Sequence, residues 1–296
     1  MGDNTILQDL TQNGLVVASH GKRYDVELPD GEIISCVTRG KKSDLACGDR
    51  VEITPTGPAE AVIEKFLQRT SLLYRSNEFR KKLLAANVTQ IVIVLAVKPS
   101  YYPELLDRCL VAAEAEGIRA LILLNKADLP ESAEPLSKLR LYEQLGYPLL
   151  SLSAKQNVTP LLPWLKGQTS VLVGQSGMGK STLVNALLPD ALARTREISS
   201  ALDSGKHTTT SARLYHLDAE SSLIDSPGLQ EFGLAHLTLD QIEYAFVEFR
   251  PLLGKCRFNN CRHLKEPDCA ILNAVSAGKI SKTRLNSYQK LIAEIA

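Results

Sequence analysis

Apolar and polar positions divide the chain into three stretches of different rhythm. Between about residues 10 and 68 the apolar positions come in short runs, at 14–18, 24–28, 33–37 and 50–53, with Pro29-Asp30-Gly31 as a turn between two of them. Short β-rich runs at this spacing predict a small barrel, and the OB-fold matches its size. From about residue 83 to 231 the rhythm changes. The runs at 91–97 and 120–124 are almost continuously apolar, as strands covered on both faces must be. Between them, Leu105, Leu106, Cys109, Leu110 and Ala113 recur at helical spacing within 103–117. Further strands at 148–152, 170–173 and 222–224 complete a doubly wound α/β pattern. From about residue 232 the pattern is mostly helical, interrupted by a cysteine cluster. The expected fold class is α/β in three parts: residues 1–68 an N-terminal OB-fold β-barrel, 69–231 a P-loop α/β domain and 232–296 a C-terminal helical domain.

The 296 residues fit two or three compact domains, and 23% charged with 44% hydrophobic residues is ordinary for a globular chain. A net charge of +1 excludes nothing by itself; its distribution says more. From Arg250 to Ala296 nine Lys/Arg stand against three Asp/Glu, an excess that suits phosphate. Residues 69–82 read as a basic connector with Arg69, Arg75, Arg80, Lys81 and Lys82, either a solvated linker or a contact to phosphate. Tyr24 is the only aromatic before Phe66, so a nucleic-acid barrel and a purely packing barrel stay equally open. No run approaches the ~18 apolar residues of a membrane span, and the first residues lack a secretory layout, so a cytoplasmic monomer without membrane contact is expected.

Residues Gly174-Gln175-Ser176-Gly177-Met178-Gly179-Lys180-Ser181 fit Gly-x4-Gly-Lys-Ser between a strand and the helical run that begins at Thr182. Backbone amides there can cradle phosphate oxygens, Lys180 can offset the β/γ charge and the Ser181 hydroxyl can hold Mg²⁺. Asp225-Ser226-Pro227-Gly228 follows another apolar strand; the Asp225 carboxylate can reach the outer shell of Mg²⁺ and the Gly228 amide the γ-phosphate. His207-Thr208-Thr209-Thr210 lies between these two motifs, where a switch segment supplies a Mg²⁺ ligand; Thr209 is the choice among the three. Leu229 stands directly after the Asp-x-x-Gly motif, and leucine cannot orient water. His207 is the catalytic candidate for that task, beside a structural reading of the same histidine.

Asn125-Lys126-Ala127-Asp128 follows a buried strand. The Asp128 carboxylate can accept from both the ring N–H and the exocyclic amine of guanine, which adenine does not offer. Lys126 can lie along the base, Asn125 can tie this loop to the phosphate loop, and Ser153-Ala154-Lys155 can supply an amide to the guanine carbonyl. These motifs come in an unusual order, with the guanine-reading loop ahead of the phosphate loop. If all loops still meet one nucleotide, the α/β domain is circularly permuted. A GTP hydrolase is one reading and a GTP-gated binding module another; a P-loop small-molecule kinase is disfavoured by the guanine motif.

Cys256-x4-Cys261-x-His263-x5-Cys269 gathers three thiols and an imidazole, while Cys36, Cys47 and Cys109 are scattered. Four such ligands satisfy tetrahedral zinc with no position left for water, which points to one structural Zn²⁺ rather than disulfides. Arg257, Arg262 and Lys265 are interleaved with the ligands and make a basic knuckle suited to RNA phosphate.

The combination of these motifs in this order, followed by the Cys3His set, resembles the RsgA family of circularly permuted GTPases along essentially the whole chain. The resemblance implies a GTPase that binds GTP and GDP, contacts rRNA on the small ribosomal subunit, acts late in that subunit's maturation and is stimulated by it. It also implies a hydrophobic residue at the position of Leu229.

Overall fold

The computed structural model describes residues 11–40, 44–77, 80–188, 212–225 and 233–295, so His207, Thr208, Thr209, Thr210, Gly228 and Leu229 lie outside the described residues. Strands β1 (Gln12–His20), β2 (Arg23–Glu27), β3 (Ile33–Thr38), β4 (Arg50–Gly57) and β5 (Glu60–Phe66) pair in the order β1-β2-β3-β5-β4, and β4 closes back on β1. The period-2 alternation turns Val16, Tyr24, Val26, Cys36, Ile53 and Ile63 into the barrel. Tyr24 is a core residue, 1% exposed, and offers no stacking platform. The sequence pattern does not disclose β5, because its two inward residues, Ala61 and Ile63, are hemmed by Glu60, Glu64, Lys65 and an outward Val62.

Residues 69–82 correct the expected basic connector. A hairpin occupies most of that stretch, β6 (Leu72–Asn77) against β7 (Arg80–Ala86). Arg69, partly buried, is turned back into the protein. Its guanidinium grips the fully buried Asp49 carboxylate with two bonds of 2.7 Å and lies 4.1 Å over the Phe66 ring. A bidentate pair of this kind satisfies the buried Asp49 charge.

The α/β domain is built on β8 (Gln90–Ala96), β9 (Arg119–Asn125), β10 (Leu149–Ser151), β11 (Thr169–Val173), β12 (Arg213–His216) and β13 (Ser222–Asp225). Their spatial order is β10-β9-β8-β11-β13-β12, parallel except for β12. Helices α1 (Pro103–Ala115), α2 (Ala133–Gln144), α3 (Leu162–Leu165) and α4 (Lys180–Leu187) cover the faces. β8 shows why its run is continuously apolar: Ile91, Ile93 and Leu95 pack with α1, while Val92, Val94 and Ala96 pack with Leu183 and Val184 of α4.

The barrel is joined to this sheet. β12 pairs with β1 at Arg213 and Ala18, giving, among the described residues, one sheet of 11 strands. The Ala86 amide donates to Cys47 O at 2.9 Å, Asn87 Nδ2 donates to Gly48 O at 2.9 Å, and His216 Nε2 sits 2.6 Å from Glu27 Oε2. Gly48, with φ +93°, passes so close that a Cβ there would lie 2.2 Å from Ala86 O.

The C-terminal region comprises α5 (Leu239–Ala245), α6 (Ala270–Ser276) and α7 (Lys282–Ala293). Thr238 and Gln241 form a capping box that starts α5, and Ser281 caps α7. The region is mounted on α1. Arg284 of α7, fully buried, donates to Asp107 of α1 at 2.6 Å and to Glu248 at 2.6 Å, and its guanidinium covers the Phe246 ring at 4.3 Å. Among the described residues no helix is long and apolar enough to cross a membrane.

Candidate nucleotide site and metal centre

Because β8, β9, β10, β11 and β13 run parallel, the loops that follow them open on one edge of the sheet, where α/β folds bind ligands. The loop after β11 is the 174–181 segment. Gly174, at φ +152°, crosses β8 so closely that a Cβ would stand 2.2 Å from Val94 O. Met178 is 1% exposed and roots the loop in the core beside Leu183. Gly179, at φ +94°, immediately precedes α4, whose first turn holds Lys180, Ser181 and Thr182 with amides directed into the loop.

Lys180 Nζ donates to Gly174 O and, at 2.9 Å, to Gln175 O. Burial lowers its pKa, with the Asp225 charge acting the other way. Burial also raises the pKa of Asp225, opposed by Lys180. The two groups feel each other because β11 and β13 are adjacent parallel strands. Each is held where its charge lacks solvation, which readies the pair for a polyanion and its counter-cation. Lys180, Ser181 and Asp225 present the ammonium and hard oxygen donors that a nucleotide with Mg²⁺ takes. The further expected ligand Thr209, with His207 and Gly228, lies outside the described residues.

Asn125, at the end of β9, is 2% exposed and joins three separate motifs. Its Nδ2 donates to Met178 O at 2.9 Å, and its Oδ1 accepts from Lys126 N at 2.8 Å and from Ala154 N at 2.9 Å. Lys126, at φ +60°, sends Nζ to Gly177 O at 2.7 Å and to Lys98 O at 2.5 Å. The Ala127 amide donates to Leu152 O at 3.1 Å. Ser153 and Ala154 are buried, and Asp128 and Lys155 are exposed beside them. The Asp128 carboxylate thus stands exposed at this edge of the sheet. The role of Lys98 O carried no sequence signal, because a backbone acceptor leaves none. Gly179→Ala is expected to weaken GDP binding on the order of tenfold, combining a left-handed backbone with a Cβ at 2.3 Å from Asn125 Nδ2. Equilibrium titration with a fluorescent GDP checks it; wild-type affinity would contradict it.

The second constellation is Cys256, Cys261, His263 and Cys269, whose ligand atoms all lie within 4.8 Å of one another. His263 Nδ1 is 3.2 Å from Cys269 Sγ, 3.5 Å from Cys261 Sγ and 3.7 Å from Cys256 Sγ, and Cys256 Sγ is 3.8 Å from Cys269 Sγ. Tetrahedral zinc, with Zn–S of about 2.3 Å and Zn–N of about 2.0–2.1 Å, separates sulfurs by about 3.8 Å and sulfur from nitrogen by about 3.6 Å. The donor set and spacing fit a structural zinc site. Burial pushes the Cys261 thiol up to about 12 and raises Cys269 as well, so thiolates here need a cation. His263 Nε2 lies 3.0 Å from Glu243 Oε1, which holds the ring with Nδ1 toward the sulfurs. The sequence pattern does not single out Glu243, which sits on α5, ahead of the cluster, and meets it only through the fold. Around the cluster, Arg257 pairs with Asp268 at 3.0 Å and Arg262 with Asp240 at 2.8 Å. The Arg257 pair is exposed and the Arg262 pair partly so, and surface pairs hold weakly enough to exchange for another anion.

The family model of the RsgA GTPase matches residues 66–235. The small ribosomal subunit biogenesis GTPase RsgA of Nitrosomonas europaea is 56% identical over 283 residues, 94% of this chain and 90% of that protein. The chain belongs to the RsgA GTPase family. RsgA GTPases are hydrolases acting on GTP, and such a reaction takes Mg²⁺ with its nucleotide. The RsgA of Neisseria gonorrhoeae is 53% identical over 288 residues, 97% of this chain and 94% of that protein. Two solved structures share the fold. YjeQ from Thermotoga maritima superposes with a TM-score of 0.73 at 32% identity, covering 97% of this chain and 99% of that one. YloQ, described as a circularly permuted GTPase, gives a TM-score of 0.71 at 27% identity, covering 98% and 96%. The permutation inferred from motif order is therefore that of an RsgA GTPase, with β9 and its guanine-type loop ahead of β11 and the phosphate loop.

Proposed function

We propose that this chain hydrolyses GTP as a late maturation factor of the small ribosomal subunit, binding rRNA and being stimulated by the subunit. The observation that carries the nucleotide reading is the Asn125 side chain, which gathers the guanine-type loop, the 153–155 loop and the phosphate loop at one edge. The subunit reading draws on the names of relatives that share half of its residues. The working divisions are residues 1–68 for the barrel, 69–231 for the permuted G domain and 232–296 for the zinc domain, and the protein acts as a monomer.

In this reading Asp128 selects guanine, Lys126 lies along its plane, and amides of 153–155 meet its carbonyl. Amides of 174–182 cradle the phosphates. Lys180 would offset charge on the β- and γ-phosphates, Ser181 and Thr209 would hold Mg²⁺ with Asp225 behind them, and the Gly228 amide would meet the γ-phosphate. Mg²⁺ supplies neutralisation of the β- and γ-oxygens. Water attacks the γ-phosphorus in line while the bond to the β–γ bridging oxygen breaks. GDP departs with that electron pair, and the water proton ends on phosphate or solvent. His207 orients the water, since Leu229 has no group to do so. The loop and Lys180 are set before the charge develops, which is where most of the stabilisation arises.

Asp128→Asn is expected to lower the preference for GTP over xanthosine triphosphate by about tenfold to a hundredfold, the worth of charge-assisted bonds to the base. An unchanged preference in competition titrations would sink the role of Asp128. For the partner, co-sedimentation with small and large subunits under GDP and a non-hydrolysable GTP analogue is the decisive experiment. Turnover should rise well beyond twofold with small subunits, against the 10³–10⁵ that a supplied catalytic group can give. In the chain, the segment after Asp225 leads directly into the zinc domain, so nucleotide state and grip on rRNA are coupled. Equal subunit affinity in the GDP and GTP states would remove that coupling.

A further inference from the structure

The phosphate loop has a second tie, to the segment that leads into α1. Gln175 Oε1 accepts from the Tyr102 backbone amide at 3.1 Å. Tyr102 is the N-cap residue of α1, has no side-chain cap, and its carbonyl accepts from Leu105 N at 3.0 Å to open the helix. The residues just before it touch the site again. Lys98 O accepts from Lys126 Nζ at 2.5 Å, and the Pro99 ring stands 3.3 Å from where a Gly177 Cβ would be. The 98–102 segment therefore meets the phosphate loop at Gln175 and Gly177 and the guanine-type loop at Lys126. The helix it begins carries the C-terminal region through Asp107–Arg284, Glu114–Arg250, Glu104–Lys290 and Arg108–Glu294. The nucleotide loops are thus fastened to the N-terminal end of α1, and the C-terminal region along its length from Glu104 to Glu114.

We propose that Gln175 is a positioning residue whose side chain serves the start of α1 rather than the nucleotide, so that a partner held by the zinc domain alters nucleotide retention through α1. The partner half rests on the function proposed above; the positioning half does not. The Gln175–Tyr102 bond joins two loops at the rim of a shallow groove shared with Ser100 and Ser176, outside the hydrophobic clusters. Losing it frees the second position of the phosphate loop without opening the core. A net hydrogen bond of this kind corresponds to about a fivefold change in an equilibrium or off-rate.

The test is a double-mutant cycle on the full, zinc-loaded chain, read as release of a fluorescent GDP analogue in stopped flow. Gln175→Met keeps length and bulk but removes the acceptor; Tyr102→Pro removes the donor, and Tyr102 is 66% exposed. Each single variant is expected to release GDP about fivefold faster with an unshifted melting temperature, and the double variant no faster than either single. Additive effects, or single variants that release GDP at the wild-type rate, overturn the positioning role. A lowered melting temperature in Gln175→Met would mark the residue as structural and overturn it too. In a second arm, small subunits are added: the change they cause in GDP release should shrink in Gln175→Met. An undiminished change with subunits bound overturns the route through α1. Absence of subunit binding to wild type instead refutes the proposed partner, and the cycle alone then decides Gln175.

Discussion

Cys261→Ala, or removal of the metal by a strong chelator, is expected to unfold the C-terminal region while leaving the nucleotide sheet folded. The region between Phe246 and the last helix has too little interior of its own. Its core residues Phe249, Ile271 and Tyr288 pack around the Cys3His cluster, with the His263 ring 6.0 Å from Phe249 and 5.8 Å from Tyr288. A structural zinc supplies about 10–16 kcal/mol of apparent binding free energy in small zinc modules, far more than such a segment otherwise gains. Hydrogen exchange should show loss of protection across α5, α6 and α7, with β8 and β9 still protected. Native mass spectrometry should show one zinc lost per chain. A Cys261→Ala protein that keeps one zinc and full protection of α7 would refute the site.

Asn125→Ala should weaken GDP binding by about a thousandfold, because it leaves the Lys126 and Ala154 amides and the Met178 carbonyl without partners, at about 1–3 kcal/mol for each buried group. The loss is larger than for any change to a residue at the rim, since one carboxamide orders three loops at once. Asn125→Asp separates the terms. It keeps an acceptor for the two amides but sets a second acceptor against Met178 O, so it should restore the guanine-side loops and not the phosphate loop. Calorimetric titration of GDP into both variants measures this. Binding within tenfold of wild type in Asn125→Ala would show that the loops hold their places without it.

The parts of the fold legible in the sequence were those where period and burial agree. β8 and β9 are covered on both faces and read as unbroken apolar runs, and α1 carries its apolar residues at helical spacing. β5 and the 72–86 hairpin were not legible: in β5 the two inward residues are hemmed by Glu60, Glu64 and Lys65, and in the hairpin the mostly polar run from Arg75 to Lys82 separates two short apolar stretches, so both read as loop. Arg69 shows the same limit for function: a basic residue in a basic stretch reads as solvent or phosphate contact until a buried partner such as Asp49, 20 positions away, is seen. In the candidate site, the strand–loop–helix placement of residues 174–181 was legible because its tight turns take glycine at positive φ. Gln175, Lys98 O and Glu243 were not, since each acts through a partner that only the fold brings near.

The pairing of β12 with β1 has a mechanical consequence. The barrel is joined to the nucleotide sheet by strand pairing and the C-terminal region to α1 by a buried ion pair, so both modules share the sheet as one frame. A load placed on either module is carried into the strands and the helix that hold the nucleotide loops.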